Sequence, residues 1–197
     1  MSGPVDLARC LAAGEAVLFP TDTLPALACR PAAADLLWRL KQRPADKPLI
    51  LMGADPPQLI EVLAVPWQEP WLEQARTSWP GAVTLVLPIT GALTDHLHPG
   101  GTSLGLRVPA CERARELLRL SGPLATTSAN HSGQPAATTA AEAARQFPGL
   151  ALLEPLPWPP GSGQASTVLA WRGEERSDDP WAVLRSGAAT APAAGGA

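Results

Sequence analysis

Proline recurs 23 times in 197 residues, and its fixed φ and missing N–H leave little room for long uninterrupted helices or strands. The prolines cut the chain into short apolar runs. Glu15-Ala-Val-Leu-Phe19 reads as a buried strand that Pro20 ends. The loop Thr21-Asp-Thr-Leu-Pro-Ala-Leu27 follows it, rich in hydroxyls. A helix over about 33–41 carries Leu36, Leu37 and Leu40 on one side and stops before Pro44, whose ring disfavours helical geometry at Arg43. Leu49 to Met52 reads as a compact strand. Asp55-Pro56-Pro57 then supplies an N-cap and a proline start for a helix through Leu63. A helix over 71–79 closes at Pro80-Gly81, and Val83 to Leu87 reads as the next strand.

A first helix over 5–13 stops at Gly14. In the second half, the turn from His98 to Ser103 leads into a strand over 104–108, whose alternation points Arg107 away from Leu106 and Val108. A charged helix over 111–120 precedes a strand over 124–127, which runs into the polar loop from Ser128 to Pro135. Thr139 and Glu142 form a capping box for the next helix. A short strand over 150–153 leads to the proline-rich stretch 155–160 and to Gly161-Ser-Gly163, a hinged lid in outline. Strands over 166–171 and 181–185 flank a charged hairpin loop at 173–179, and 188–197 is a low-complexity tail with the composition of disorder. Strands and helices that do not strictly alternate predict a single α/β domain over 1–187, with parallel and antiparallel pairs in one sheet. If the strand ends lie together, the loops after Phe19, after Thr127 and near Ser166 line one cleft.

Several classes are excluded early. Cys10, Cys29 and Cys111 are odd in number and widely spaced, so they build neither a disulfide framework nor a zinc site, and a reducing cytoplasm suits them. No signal peptide and no run near the ~20 apolar residues of a membrane span is seen. A net charge of −3 argues against a broad nucleic-acid footprint and leaves room for a small basic pocket. Walker, Rossmann and nucleophile-elbow glycine patterns are missing. Ser128 and His131 lie three apart in a loop, too little to define a hydrolase pair. His96 and His98 lack a third ligand and read as surface residues, and the tryptophans read as scattered packing residues.

Only two lysines are present, and both fall in Lys41-Gln-Arg-Pro-Ala-Asp-Lys47, three cations in seven residues. Such a cluster suits phosphoryl or adenylyl chemistry, where the charge of a departing pyrophosphate must be neutralised. It equally suits a solvated helix end, where cations meet the macrodipole. Thr126-Thr-Ser-Ala-Asn130 offers hydroxyls and an amide for phosphate or carboxylate oxygens. Thr21-Asp-Thr23 either binds substrate or a metal through Asp22, or uses Asp22 to cap backbone amides.

Taken in order, Phe-Pro-Thr-Asp-Thr (19–23), Lys-Gln-Arg-Pro-Ala-Asp-Lys-Pro-Leu (41–49), Trp-Pro-Gly-Ala-Val-Thr-Leu (79–85), Leu-Arg-Val-Pro (106–109), Thr-Ser-Ala-Asn-His-Ser-Gly-Gln-Pro (127–135), Ala-Ser-Thr-Val (165–168) and Val-Leu-Arg-Ser-Gly (183–187) resemble the YrdC-like family, which includes threonylcarbamoyl-adenylate synthases. The resemblance implies a twisted open mixed α/β sheet with a deep basic cleft. It implies a short-form enzyme joining L-threonine, bicarbonate and ATP into L-threonylcarbamoyl-AMP and pyrophosphate, for t6A modification at position 37 of transfer RNA. Arg43, Lys47, Ser103, Ser128 and Arg185 would contact ATP, and Lys41 and Asn130 would complete the catalytic signatures. Thr23, Arg107, Thr126 and Ser166 would hold threonine. Mg2+ would accompany ATP, no protein metal site is implied, and a transferase complex would carry the product to tRNA. Where the family usually has an aromatic residue and glycine after Pro-Thr-Asp-Thr, this chain has Leu24-Pro25-Ala26, and Met52 stands where some relatives have histidine. The alternatives are a paralogue making another carbamoyl- or acyl-adenylate, and a non-catalytic RNA- or nucleotide-binding module.

Overall fold

The computed structural model describes residues 2–44, 46–173 and 180–189. Among them one nine-stranded mixed sheet runs β7-β1-β2-β6-β3-β5-β4-β8-β9. The strands are β1 (Val17–Phe19), β2 (Ala26–Cys29), β3 (Ile50–Met52), β4 (Val83–Leu87), β5 (Leu104–Arg107), β6 (Leu124–Ser128), β7 (Ala151–Leu152), β8 (Thr167–Trp171) and β9 (Trp181–Arg185). Three pairs are parallel, β1 with β7, β3 with β5 and β4 with β8, and the other five are antiparallel. The helices are α1 (Pro4–Ala12), α2 (Asp35–Lys41), α3 (Pro56–Leu63), α4 (Glu69–Ser78), α5 (Ala92–Leu97), α6 (Glu112–Ser121) and α7 (Ala140–Gln146).

Alternation along the strands divides the buried residues between two cores. Leu18, Leu27, Leu51, Leu85, Leu106 and Ala125 face one side, packed with Leu37 and Trp38 of α2, Leu59 of α3 and Trp71 of α4. Val17, Phe19, Ala26, Ala28 and Met52 face the other, under Leu7 and Leu11 of α1 and Leu117 and Leu118 of α6. On that second face the apolar cluster reaches only as far as β3. Beyond it, β5, β4 and β8 contribute Gly105, Arg107, Thr84 and Val168 to the wall of an open cavity.

Two elements depart from the sequence reading. Ala26 and Leu27, read as the end of a loop over 21–27 rich in hydroxyls and proline, begin an antiparallel strand, Ala26–Cys29, whose four residues are all buried between β1 and β6. Ala92–Leu97, which carries no strong helical period, is a single short helix in which Thr94 donates its hydroxyl to the Ile89 carbonyl. The tryptophans are not scattered in space. Trp79, Trp67, Trp71, Trp171 and Trp181 form an edge-to-face series with successive centroids 6.4, 6.4, 6.4 and 5.2 Å apart, the geometry that aromatic quadrupoles favour.

The caps are only partly as expected. Asp55 Oδ1 accepts from the Gln58 backbone N–H at 2.9 Å, as its position implies. Thr139 likewise caps Glu142, but the Glu142 carboxylate accepts from Thr138 rather than from the cap's own N–H, so the box is not reciprocal. The hairpin loop at 174–179 and the tail from 190 lie outside the described residues. Ala188 and Ala189, assigned to that tail by composition, bond back to Ala165 and Thr167.

Trp71→Ala removes the middle ring of the aromatic series and leaves a cavity, with an expected loss of about 3–5 kcal/mol. Asp55→Ala loses one cap, about 1 kcal/mol. Urea denaturation of the two variants should rank them in that order.

Candidate functional site

A cavity of about 420 Å3 opens on the half-covered sheet face. Its floor follows from strand register. Ile50 pairs with Gly105 and Thr126, and Gly105 with Val86. Met52 pairs with Arg107, and Thr84 with Val168. Leu51, Leu85, Leu104, Leu106 and Ala125, which alternate with these residues along the strands, belong to the opposite core, so the polar residues are delivered to the cavity by the same period that buries the leucines.

Arg107 organises one end. It is 4 % exposed, and its Nε donates to the Gly81 carbonyl, its Nη1 to Thr23 Oγ1 at 2.8 Å and its Nη2 to Asp22 Oδ1 at 2.8 Å. Asp22 also accepts from the Ala110 N–H at 3.0 Å. The loop leaving β1 therefore reaches β5 across the intervening β2, β6 and β3. Thr21 shares a hydrogen bond with Thr23 at 2.9 Å, so this loop is internally fixed as well. Asp22 serves both readings offered by its sequence only in part: it caps an amide and pairs with an arginine.

The segment beginning at Gly161, a hinged lid in outline, is docked on that loop. Ser162 N–H donates to the Asp22 carbonyl and Gly163 N–H to the Thr23 carbonyl. A Cβ at Gly161 would lie 2.3 Å from the Thr23 carbonyl oxygen, so only glycine allows this approach. Gly187 plays the same part against Ala165 and Ser166. There Arg185 donates from Nε and Nη2 to the Ser166 carbonyl, at 3.2 and 2.8 Å.

At the other end, Arg43 follows α2, which ends on Gln42 in the left-handed region (φ 51°). Arg43 donates to Thr127 Oγ1 and the Pro48 carbonyl, while its buried Nε has no partner among the described residues. Burial lowers the pKa of Arg43, Arg107 and Arg185 from the usual arginine range, yet a guanidinium stays charged in proteins. Three fixed positive charges thus meet around one cavity, with no carboxylate in its wall among the described residues.

Eight of the eleven predicted site residues line this cavity: Thr23, Arg43, Ser103, Arg107, Thr126, Ser128, Ser166 and Arg185. Three do not. Lys47 is exposed on the loop after α2. Lys41, expected to take part directly, is 2 % exposed. Its ammonium donates to the Ser128 carbonyl at 2.5 Å, the Asn130 carbonyl at 2.5 Å and Asn130 Oδ1 at 3.2 Å. Asn130 Oδ1 in turn accepts from Ser128 Oγ at 2.6 Å. Lys41 and Asn130 therefore act on the cavity through the loop that presents Ser128.

Sequence reasoning overlooked Thr84 and His98 in the wall, while Thr127, one of the hydroxyls in the run 126–130, lines it as well. Thr84 had a signal, as the one polar side chain in Val83-Thr-Leu-Val-Leu87. His98 is half-buried and not a surface residue, its Nδ1 3.0 Å from the Ser103 carbonyl. Leu24, Pro25, Ala26 and Met52 give the Arg107 end an apolar wall. No group of three or more histidines, cysteines or carboxylates that could hold a metal occurs among the described residues, nor is any helix there long and apolar enough to cross a membrane.

The family profile Sua5_yciO_yrdC, described as telomere recombination, matches residues 9–187. The chain is 36 % identical over 145 residues to a threonylcarbamoyl-AMP synthase of Pseudomonas putida (strain GB-1), covering 72 % of this chain and 78 % of that one. It is 36 % identical over 188 residues to the Bacillus subtilis (strain 168) protein of the same name, covering 93 % of this chain and 53 % of the other. Among solved structures, P. abyssi Sua5 complexed with L-threonine superposes with a TM-score of 0.82 at 34 % identity, over 93 % of this chain and 54 % of that one. E. coli YciO shares the fold, with a TM-score of 0.76 at 22 % identity over 93 % and 88 % of the two chains. This chain thus spans about half the length of the Sua5 and Bacillus proteins.

Two outcomes follow from the site. Gly161→Ala should push the Thr21–Thr23 loop off Arg107 and leave that buried guanidinium short of a partner, lowering stability by about 1–3 kcal/mol in urea denaturation. Burial, aided by the Arg43 charge, pushes the Lys41 amine down to about 7 from an ordinary 10.5. The unfolded chain then binds more protons between those values, so this group makes stability rise as pH increases from about 7 towards 10.5. Between pH 7 and 9 the urea midpoint of the native protein should climb relative to that of Lys41→Met; parallel midpoints would refute the assignment.

Proposed function

The chain belongs to the Sua5/YciO/YrdC family, and from that premise we propose that it is an L-threonylcarbamoyladenylate synthase, a nucleotidyltransferase acting on L-threonine, bicarbonate and ATP. The observation that carries this reading is the convergence of Arg43, Arg107 and Arg185 with the hydroxyls of Thr23, Thr126, Ser128 and Ser166 on one cavity.

The threonine amine attacks carbon dioxide, opening one C=O π bond and releasing a proton, or attacks bicarbonate with loss of water, and either route gives the carbamate. A carbamate oxygen then bonds to the α-phosphorus of ATP as the bond to the bridging β-phosphate oxygen breaks and pyrophosphate leaves. Arg43 and Arg185 suit the phosphates, because preformed cations in a partly dry site stabilise developing negative charge without reorganisation. The unpartnered Nε of Arg43 supports that role. Thr23, Arg107, Thr126 and Ser166 suit the amino acid, and Ser103 and Ser128 the nucleotide. Lys41 and Asn130 set the Ser128 loop. Lys47, exposed one residue before the cavity-lining Pro48, suits the outer phosphates. Holding both reactants in one cleft makes the joining step effectively unimolecular.

The residues present do not fit a resident metal, since Asp22 is committed to Arg107 and Ala110 and no metal-holding cluster occurs among the described residues. Mg2+ in this proposal is the counter-ion carried by ATP. The adenylate would pass to a transferase complex for t6A37 formation in tRNA, in the cytoplasm, from a domain over 1–187.

One feature favours a second reading. The apolar wall of Leu24, Pro25, Ala26 and Met52 gives a substrate hydroxyl little to bond at that side, which suits a paralogue using another small amino acid. Pyrophosphate release from ATP, with each substrate omitted in turn, separates the two. The synthase reading requires release to depend on both L-threonine and bicarbonate, and Arg43→Ala to slow it about a hundredfold. Release that ignores threonine, or prefers valine, would transfer the assignment to the paralogue.

A further inference from the structure

We infer that Thr84, on the floor of the cavity, is a positioning residue that sets the Ser166 hydroxyl, on the Arg107 side of the site, to receive the amino-acid carboxylate. The inference rests on the synthase reading above and adds a residue to it.

In β4 the residues Val83, Leu85 and Leu87 belong to the apolar core, and Thr84 faces the opposite way, 1 % exposed. Pairing of Leu85 with Leu106 sets Thr84 beside Arg107, and pairing with Val168 sets it beside the strand that Ser166 precedes. Its rotamer is fixed from both sides. A Cβ at Gly105 would meet Thr84 Cγ2 at 3.5 Å, so the methyl lies over Gly105, while Oγ1 shares a hydrogen bond with Ser166 Oγ at 2.8 Å. A β-branched side chain so held has little freedom at χ1.

The protons of this pair do not all find acceptors. Arg185 Nη2 can only donate, and it donates to Ser166 Oγ at 3.3 Å as well as to the Ser166 carbonyl. The two hydroxyls carry two protons, and their shared contact consumes one. The other has no acceptor among the described residues, although Ser166 is 3 % exposed. Both residues line the cavity, so a ligand oxygen placed there can accept that proton. With Arg107 and Arg185 on either side, that oxygen is anionic.

Thr84→Val keeps the methyl over Gly105 and removes the hydroxyl; Thr84→Ser keeps the hydroxyl. L-threonine binding by calorimetry and steady-state pyrophosphate release should be measured for both. The expected result is about tenfold weaker threonine binding and a tenfold higher threonine KM for Thr84→Val, with kcat and the ATP KM within about twofold of native. Thr84→Ser should stay within about threefold of native throughout. Equal threonine binding by the native protein and Thr84→Val overturns the inference, as does equal loss in both variants, which marks Thr84 as packing alone. A native protein that does not bind threonine overturns the synthase reading and this inference together.

Discussion

Arg107 is the point at which separate stretches of the chain become one site. A single guanidinium on β5 bonds the Gly81 carbonyl after α4, the Thr23 hydroxyl and the Asp22 carboxylate. Taking so buried a cation out of water is expensive, and the expense is met only because each nitrogen finds a partner. The Asp22 pair lies at 5 % and 19 % side-chain exposure, so solvent screens it little. Remove the arginine and the side chains of the loop after β1 are tied to the far side of β2, β6 and β3 only through the bond from the Ala110 N–H to Asp22. The cavity would then lose a wall as well as a charge.

The same logic recurs at lower cost around the rim. Two glycines, at 161 and 187, let backbone lie against backbone where any side chain would intervene. Lys41 works from below, its ammonium gathering three oxygens of the Ser128 loop. The functional groups are thus set by second partners that a ligand does not touch, and each such partner comes from an element remote in sequence. That arrangement keeps the side chains in place before a substrate arrives, which is what electrostatic stabilisation of a developing charge needs.

What could be read from the chain depended on how local the cause was. β4 and β9 have the predicted limits, because an apolar run bounded by proline, glycine or charge states its own ends. Asp55 was legible as a cap for the same reason. β2 was hidden, since Ala26–Cys29 becomes a strand only by lying between β1 and β6, and nothing in its four residues announces those neighbours. The cavity residues were found mainly through ordered motifs, but their geometry was not. Lys41 and Arg43 stand two apart in the chain, yet one supports a loop and the other faces the cavity, because the left-handed Gln42 turns the backbone between them. Thr84 was missed because its significance arises from strand register, a property of pairs of segments, and His98 because its place at the end of α5 and its contact with the Ser103 carbonyl belong to a helix that the local sequence does not announce.

The aromatic series has a consequence beyond packing. Trp181 begins the strand that Arg185 ends, and through Trp171 its ring is joined edge-to-face to Trp71 of α4. The chain contains no tyrosine, so its near-ultraviolet emission belongs to tryptophan alone, and five of its seven indoles sit in one coupled stack. The protein therefore carries its own optical label, attached to the hairpin that holds the cavity's outer arginine, and a shift of that hairpin is written into its intrinsic fluorescence without any added probe.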